Sequence, residues 1–308
     1  MLKCVQRITR FILLPALLAG VACGAPEPES PALPDTGFNM PYQLDAPDAV
    51  IDLPGALREI SGLSMAPNGR QLVAVNDEKG LIYFLNPETG AIEGKREFGK
   101  PNDYEGLATA DSTIYVVNSK GTVYQVGSGG KTADYPTPLN GSFDVEGLCY
   151  DAGQNRLLLA CKGRAGKGEA FRNKKAVYTF DLKKMKLQDE PAYLIRRSEI
   201  ARWKGGSGTL FARINEFLST DQAPSAFGPS GLAVCPTDGN LYIVASVGKA
   251  LAVVRPDGSL ARVQRLPASR FQQPEGICFD SEGRLYISSE GKNGIPGRIF
   301  RFSLSNPE

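Results

Sequence analysis

One short phrase recurs five times along this chain of 308 residues and constrains its fold more than any other feature. Each copy is a small or acidic residue, then Gly, then Leu or Ile. The copies are Ser61-Gly62-Leu63, Glu105-Gly106-Leu107, Glu146-Gly147-Leu148, Ser230-Gly231-Leu232 and Glu275-Gly276-Ile277. Successive glycines lie 44, 41, 84 and 45 positions apart. A period in the low forties, with several short strands per unit, is typical of the blades of a β-propeller.

Each unit repeats the same order of strand and turn signals. Turns such as Asn68-Gly69 and Pro256-Asp257-Gly258 separate short apolar and β-branched runs, a pattern typical of antiparallel hairpins. The fifth unit shows only three such runs, while residues 42–53 precede the first unit without a blade of their own. We therefore predict an all-β fold: a β-propeller of five four-stranded blades, closed by an N-terminal strand that completes the last blade.

The 84-residue interval between Gly147 and Gly231 leaves the blade number open. It is close to two periods, so a degenerate sixth blade is the alternative. Residues 145–195 already supply four strands for the third blade, and Leu210, Ile214, Phe217 and Leu218 follow at helical spacing. We therefore predict five blades with a helical insertion near residues 198–227.

The first 40 residues have the composition of a targeting segment and a linker. Residues 1–22 hold Lys3, Arg7 and Arg10, no acidic residue, and an apolar run of the length found in signal peptides. Gly20-Val21-Ala22-Cys23 is similar to a bacterial lipobox, which predicts lipidation of Cys23; cleavage after Ala22 to give a soluble periplasmic protein is the alternative. Residues 23–40 read as a Pro- and Glu-rich tether, and residues 41–308 as a single propeller domain.

Charge and cysteine content narrow the class of partner. Without residues 1–22 the chain has 32 basic and 33 acidic residues, a net charge of −1, so we expect no nucleic-acid partner. Cys149, Cys161, Cys235 and Cys278 lie in predicted strands, which indicates four buried thiols. A Cys149–Cys161 disulfide is the alternative in an oxidising compartment.

The acidic residues near the recurring phrase predict a site on the propeller axis. The start of each first strand and the end of each second strand meet at one face of the disc, because the two form a hairpin. Carboxylates gathered there repel one another unless a cation lies among them, and Ca²⁺ takes six to eight such oxygens, with Mg²⁺ as the second choice. The alternative is that each carboxylate accepts hydrogen bonds from backbone N–H groups without an ion. The predicted metal ligands are Glu59, Glu105, Glu146, Glu275 and Asp77.

Basic residues in the turns between the second and third strands predict a second, outer ring. One lysine falls in this turn of every unit, and the enlarged turn of the third unit adds Arg164. Together with Glu290, these residues form a predicted binding set for a small anionic ligand such as a phosphate ester; ordinary solvated lysines are the alternative. The lysines are Lys79, Lys120, Lys162, Lys249 and Lys292.

The chain contains no histidine, which excludes a histidine general base, a Ser-His-Asp triad and histidine-bound zinc. An enzyme built on this sequence would use a metal ion and carboxylates, for hydrolysis of a phosphomonoester or a lactone. The sequence alone does not decide between such a hydrolase, a binding module and a structural scaffold.

Six stretches within about residues 53–304 have a sequence typical of one known family; they are Asp103-Tyr104-Glu105-Gly106, Asp144–Asp151, Leu158–Gly163, Pro229–Leu232, Gln273–Ile277 and Leu285–Gly291. They resemble the SdiA-regulated, YjiK/CarP-like β-propeller family. The resemblance implies a protein of the bacterial cell envelope, and it suggests a calcium-linked role or a phytase-like activity. On this basis we expect a monomeric, envelope-anchored propeller that binds Ca²⁺ and a small anionic ligand or an envelope protein, with membrane contact through the lipid on Cys23.

Overall fold

The computed structural model describes residues 36–204 and 225–305 and contains five antiparallel sheets of four strands each. The sheets are the five blades of a β-propeller, as the repeat spacing predicted. In blades 1 to 4 the strands follow one another in chain order from the axis outward. Blade 1 contains β2 (Ile60–Met65), β3 (Leu72–Asn76), β4 (Leu81–Leu85) and β5 (Ile92–Glu97). Blade 2 contains β6 (Tyr104–Ala110), β7 (Thr113–Asn118), β8 (Val123–Val126) and β9 (Thr132–Tyr135).

The remaining blades follow the same plan. Blade 3 contains β10 (Val145–Asp151), β11 (Arg156–Cys161), β12 (Lys174–Asp181) and β13 (Lys186–Arg196). Blade 4 contains β14 (Gly228–Val234), β15 (Leu241–Val247), β16 (Ala250–Val254) and β17 (Leu260–Arg265). Blade 5 contains β18 (Pro274–Phe279), β19 (Leu285–Ser289) and β20 (Arg298–Phe302), and its outer strand is β1 (Ala49–Asp52). Two short 3-10 helices, Gly55–Leu57 and Glu169–Phe171, lie in connecting segments.

The N-terminal strand closes the ring, as predicted. β1 pairs with β20 in antiparallel register, with Ile51 opposite Ile299. A propeller closed in this way joins its first and last blades through one sheet. Upstream of β1, Thr36 Oγ1 donates a hydrogen bond to the Ala261 carbonyl at 2.6 Å, and Phe38 and Met40 pack against the core.

The long interval in the repeat contains a helix and no sixth sheet among the described residues. Helix α1 (Arg197–Trp203) follows β13 directly, close to the predicted start of the insertion. The predicted amphipathic stretch at residues 210–218 lies outside the described residues. Residues 145–196 form the whole of blade 3, and residues 197–227 precede blade 4, so the interval is close to twice the usual period.

The core consists of five apolar clusters, each between two neighbouring blades. β3 shows how this arises, because successive side chains of a strand point to opposite faces. Leu72 and Ala74 pack towards blade 5, whereas Val73 and Val75 pack towards blade 2. The inner strands are therefore buried on both faces and read as continuous apolar runs.

Cys149, Cys161, Cys235 and Cys278 are buried free thiols, which confirms the first of the two expectations, although Cys235 directly follows β14 and does not belong to it. Cys149 packs in the cluster between blades 3 and 4, and Cys161 packs in the cluster between blades 2 and 3. The two thiols lie on opposite faces of the same sheet, so the alternative disulfide does not form. In the part of the chain that the structure describes, no helix has the length and apolar character needed to cross a membrane.

Candidate functional site

A β-bulge interrupts every innermost strand at the recurring phrase. In blade 2, Tyr104 pairs with Asn118 and Gly106 pairs with Val117, so Glu105 has no partner residue on the neighbouring strand. Glu146 is left over in the same way in blade 3. A bulge bends its strand and redirects the extra side chain. The register breaks lie at Ile60/Leu63, Tyr104/Gly106, Val145/Gly147, Pro229/Gly231 and Pro274/Ile277.

The five glycines allow the bulged strands to meet at the axis. A Cβ atom on Gly106 would lie 2.7 Å from the backbone nitrogen of Leu148 in the next blade, and one on Gly231 would lie 2.2 Å from the carbonyl oxygen of Glu275. These distances are shorter than van der Waals contact, and the neighbouring atoms belong to the backbone. Gly62 and Gly276 also face backbone atoms of the next blade, whereas the atom nearest to Gly147 is Cδ2 of Leu232. Glycine is therefore required at four of the five contacts between blades.

A cavity of about 10 Å³ lies on the axis between the five phrases. Its lining includes Glu105, Glu146, Ser230 and Glu275 together with the five glycines. This volume is about that of one water molecule or one ion. A ring of Leu63, Leu107, Leu148, Leu232 and Ile277 also lines the cavity and separates it from a larger funnel of about 270 Å³ at the opposite face.

Acidic residues from four of the five blades surround this end of the axis, which we call the acidic mouth. Glu146 and Glu275 are only 6 and 4% exposed, so their carboxyl groups are almost fully removed from water. Blade 4 contributes serines in the corresponding positions, Ser230 and Ser246. The acidic residues are Glu59, Asp77, Asp103, Glu105, Asp144, Glu146, Glu275 and Glu290.

Burial and mutual repulsion raise the pKa of several carboxyl groups in the mouth. The pKa of Glu275 is raised well above its usual range by burial, then by the charges of Glu146 and Glu290. The pKa of Glu105 is raised strongly for the same reasons, with Glu146 as its main charged neighbour. Like charges held in a poorly solvated place favour the protonated form. Without a compensating cation, these carboxyl groups therefore stay protonated to a higher pH than an ordinary glutamate does.

Lys162 is the one lysine that reaches into the acidic mouth in the described part of the chain. Its Nζ lies 2.9 Å from Oε1 of Glu146. The charge of Lys162 lowers the pKa of Glu146, whereas burial raises it. Burial has the larger effect, so the pKa of Glu146 stays above its usual range. The pKa of Glu290 is raised to about 7 by burial and by the charges of Asp77 and Glu59. Lys162 accordingly neutralises one side of the mouth only.

Two buried oxygen atoms at this face have no hydrogen-bond partner among the described residues. They are Oδ1 of Asp77 and Oγ of Ser246. A buried polar atom without a partner costs about 1–3 kcal/mol, so native structures usually supply one. In each of four blades, one residue follows the partner of the last inner-strand residue before the bulge, so these residues occupy equivalent places: Asp77, Lys162, Ser246 and Glu290. These two oxygens are consistent with a site for a ligand or a bound water.

The structure brings the predicted metal ligands to one face without joining them in one group. Glu105, Glu146 and Glu275 line the axial cavity, Asp77 is half-buried at the mouth, and Glu59 is exposed at its edge. Within residues 36–204 and 225–305, no three Asp, Glu or Cys side chains lie close enough together to hold a metal ion.

The predicted lysine ring divides into two kinds of residue. Lys79, Lys120 and Lys292 are exposed in their turns, and Lys249 is half-buried. Lys162 belongs instead to the inner set, because it occupies the place taken by Asp77 in blade 1 and Glu290 in blade 5. The position of a lysine relative to its glycine in the turn does not distinguish these cases, which is why the sequence placed all five in one ring.

Arg164 lies outside the mouth, with its guanidinium 5.7 Å from the centre of the Phe143 ring. Sequence reasoning missed Ser246 altogether. Ser246 occupies the same place in blade 4 as Lys162 does in blade 3. This equivalence becomes visible only once the inner hairpins are aligned by their bulges.

Comparisons with known proteins support the fold. A model of the N-terminal region of strictosidine synthase-like proteins matches residues 256–302. Myxococcus xanthus glutaminyl cyclase is similar with a TM-score of 0.53 and 14% identity, covering 85% of this chain and 97% of that one. A luciferin-regenerating enzyme is similar with a TM-score of 0.50 and 11% identity, covering 84% of this chain and 95% of that one. The search of curated proteins found no match. At such identities the likeness concerns architecture alone, and the chain is a five-bladed β-propeller whose structural neighbours include enzymes.

Proposed function

We propose that this propeller is a binding module that holds a divalent cation at the acidic mouth, with Ca²⁺ as the first choice and Mg²⁺ as the second. The observation that carries the proposal is the axial cavity of about 10 Å³ lined by Glu105, Glu146 and Glu275. A cation there would compensate carboxylates that otherwise repel one another in a poorly solvated place. Hard oxygen donors are the ligands that both ions prefer.

The residues present fit such an ion through a mixed set of donors. Because no three acidic side chains come together in the described part of the chain, two carboxylates at most would bind directly, and water would complete the shell. Glu105 and Glu275 are the candidates for this role, since Glu146 already pairs with Lys162. The unpartnered Oδ1 of Asp77 is a further acceptor for an ordered water.

Calorimetric titration with CaCl₂ at pH 8, after chelator treatment, tests the proposal. The wild-type protein should bind one Ca²⁺ with a saturable signal. Glu275→Gln should weaken binding at least tenfold, because it removes the negative charge of this side chain and keeps its shape. Glu282→Gln is the matched control, since Glu282 is an exposed glutamate of the same blade outside the mouth. Absence of saturable binding by Ca²⁺ and Mg²⁺ would reject the proposal.

A second candidate function is a Ca²⁺-dependent phosphoesterase or lactonase. The observation that favours it is the position of Glu290, a half-buried carboxyl group at the acidic mouth, because such a group can act as a general acid or base. Under this reading Glu290 would transfer the proton beside the bound ion. Turnover of p-nitrophenyl phosphate or of an aliphatic lactone that is lost in EDTA and in Glu290→Gln would support it. Metal binding without turnover would reject the hydrolase and support the binding module.

We further propose the cell envelope as the location and Cys23 as the lipidation site, so that a lipid anchor holds the propeller at a membrane. The supporting observations are the basic and apolar residues 1–22, the residues before Cys23, and the resemblance to the SdiA-regulated β-propeller family. Cys23→Ser in a bacterial host should move the protein from the membrane fraction to the soluble periplasmic fraction. An unchanged distribution would contradict the anchor.

A further inference from the structure

A second pocket lies away from the axis, in the enlarged turn between β11 and β12 of blade 3. Its volume is about 530 Å³, which is in the range of small-molecule sites. The turn and the start of α1 form its walls. Its lining contains five basic residues and one acidic residue, Glu169; the basic ones are Arg164, Arg172, Lys174, Lys175 and Arg197.

The positive charges of this pocket are poorly neutralised. Glu169 is exposed and pairs only with Arg172, at 3.2 Å. Among the ion pairs of the described residues, none involves Lys175 or Arg197. Burial, followed by the charge of Arg197, lowers the pKa of Lys175 to about 8, whereas the charge of Asp144 acts in the opposite direction. Lys175 and Arg197 thus act on each other electrostatically, and neither has an ion-pair partner among the described residues.

Hydrogen bonds fix the basic side chains of the pocket, and some of their N–H groups remain available to a ligand. Lys175 Nζ donates to the carbonyl oxygens of Lys162 and Gly163, which uses two of the three N–H bonds of the ammonium group. Arg197 donates through Nε to the carbonyl of Ser225 at 3.0 Å and through Nη2 to Oγ of Ser225 at 3.4 Å, which leaves three of its five guanidinium N–H groups for another acceptor. Tyr178 Oη anchors the turn by donating to the carbonyl of Ala165 at 2.9 Å.

We infer that this pocket binds a small, multiply charged oxyanion, a phosphorylated metabolite free in solution, through Lys175, Arg197 and Arg172. Guanidinium groups match phosphate oxygens with paired hydrogen bonds, and the ammonium group adds a compact positive charge. The cavity is larger than a phosphate group alone, so it has room for the rest of a small molecule. The inference is independent of the cation proposed for the axis, because no residue of the acidic mouth lines the pocket.

Calorimetric titration with sodium pyrophosphate at pH 7 in the presence of EDTA tests the inference, since chelation removes any contribution from the axial site. We expect one saturable site in the wild-type protein. Arg197→Gln and Arg172→Gln should each weaken binding at least tenfold. Lys183→Gln is the matched control, because Lys183 is an exposed lysine of the same blade outside the pocket, and its variant should bind as the wild type does.

Three results would overturn the inference. They are the absence of saturable pyrophosphate binding, equal weakening by Lys183→Gln, and binding only to vesicles that contain phosphatidylglycerol. Arg172 is exposed and makes its one ion pair with Glu169, so Arg172→Gln retains the fold, as a thermal melt would verify. Loss of binding in that variant therefore reports on the pocket and not on unfolding.

Discussion

At the scale of single residues, the pair formed by Glu146 and Lys162 gives the clearest prediction. The two side chains are only 8 and 27% exposed, and their charged atoms lie 2.9 Å apart. Lys162→Met would leave the carboxylate buried without its partner, which costs about 3 kcal/mol at pH 8. The loss should be much smaller at pH 5, because a carboxyl group with a raised pKa is then protonated in the folded state.

Urea denaturation at the two pH values measures this difference. Lys120→Met is the control, because Lys120 lies in the same turn of blade 2 but is exposed, and its loss should change the free energy of unfolding by less than about 0.5 kcal/mol. A loss of equal size at pH 5 and pH 8 would show that Lys162 contributes packing and not charge.

At the scale of elements, the bulged phrase at the start of each inner strand sets the approach of neighbouring blades. Gly106→Ala would place a Cβ atom 2.7 Å from the nitrogen of Leu148 and 2.9 Å from the carbonyl oxygen of Glu146. Both are backbone atoms, so the blades must separate. We expect a destabilisation of about 1–3 kcal/mol, measured by chemical denaturation.

Gly141→Ala is the matched control for this substitution. Gly141 lies in a connecting segment of the same region, and a Cβ atom there meets nothing within 4 Å. Its variant should be neutral or slightly more stable than the wild type, because alanine restricts the unfolded chain. Similar losses at positions 106 and 141 would contradict the role given to the axial glycines.

Sequence reasoning predicted the elements well where the signal was periodic and local. The recurring phrase fixed the five inner strands, and the missing strand of blade 5 identified β1. The bulges were not predicted, although Glu followed by Gly marked each one in blades 2, 3 and 5, because a register break depends on the partner strand. The inward position of Lys162 and the orphan oxygen of Ser246 depend on the same register, so they became visible only in the structure.

At the scale of the whole molecule, closure of the ring by β1 should be essential for stability. The test compares a protein that begins at residue 36 with a deletion variant that begins at residue 54. The variant lacks the outer strand of blade 5 and the buried side chains of Tyr42, Leu44 and Ile51. Burial of such side chains contributes about 1.5–3 kcal/mol each. We therefore expect no cooperative thermal transition in the deletion variant. The protein that begins at residue 36 is the control and should melt cooperatively; identical melts would contradict this account of closure.

The charge of the acidic mouth also makes the stability of the whole protein depend on pH. Glu105, Glu275 and Glu290 have raised pKa values in the folded state, so the folded protein binds more protons than the unfolded chain above about pH 4. The free energy of unfolding therefore falls as the pH rises through these folded-state pKa values, including the one near 7. A bound cation would reverse this loss.

Chemical denaturation of the chelated protein at pH 5 and pH 8, with and without CaCl₂, is the most direct test of the proposed axial site. Without calcium, we expect lower stability at pH 8 than at pH 5. Calcium at about 100 times its dissociation constant should add about 2.7 kcal/mol at pH 8 and little at pH 5, where protons compete for the carboxylates. The double variant Glu105→Gln/Glu275→Gln should lose most of this pH dependence and most of the stabilisation by calcium. A wild-type unfolding midpoint at pH 8 that neither calcium nor magnesium shifts would contradict cation binding at the acidic mouth.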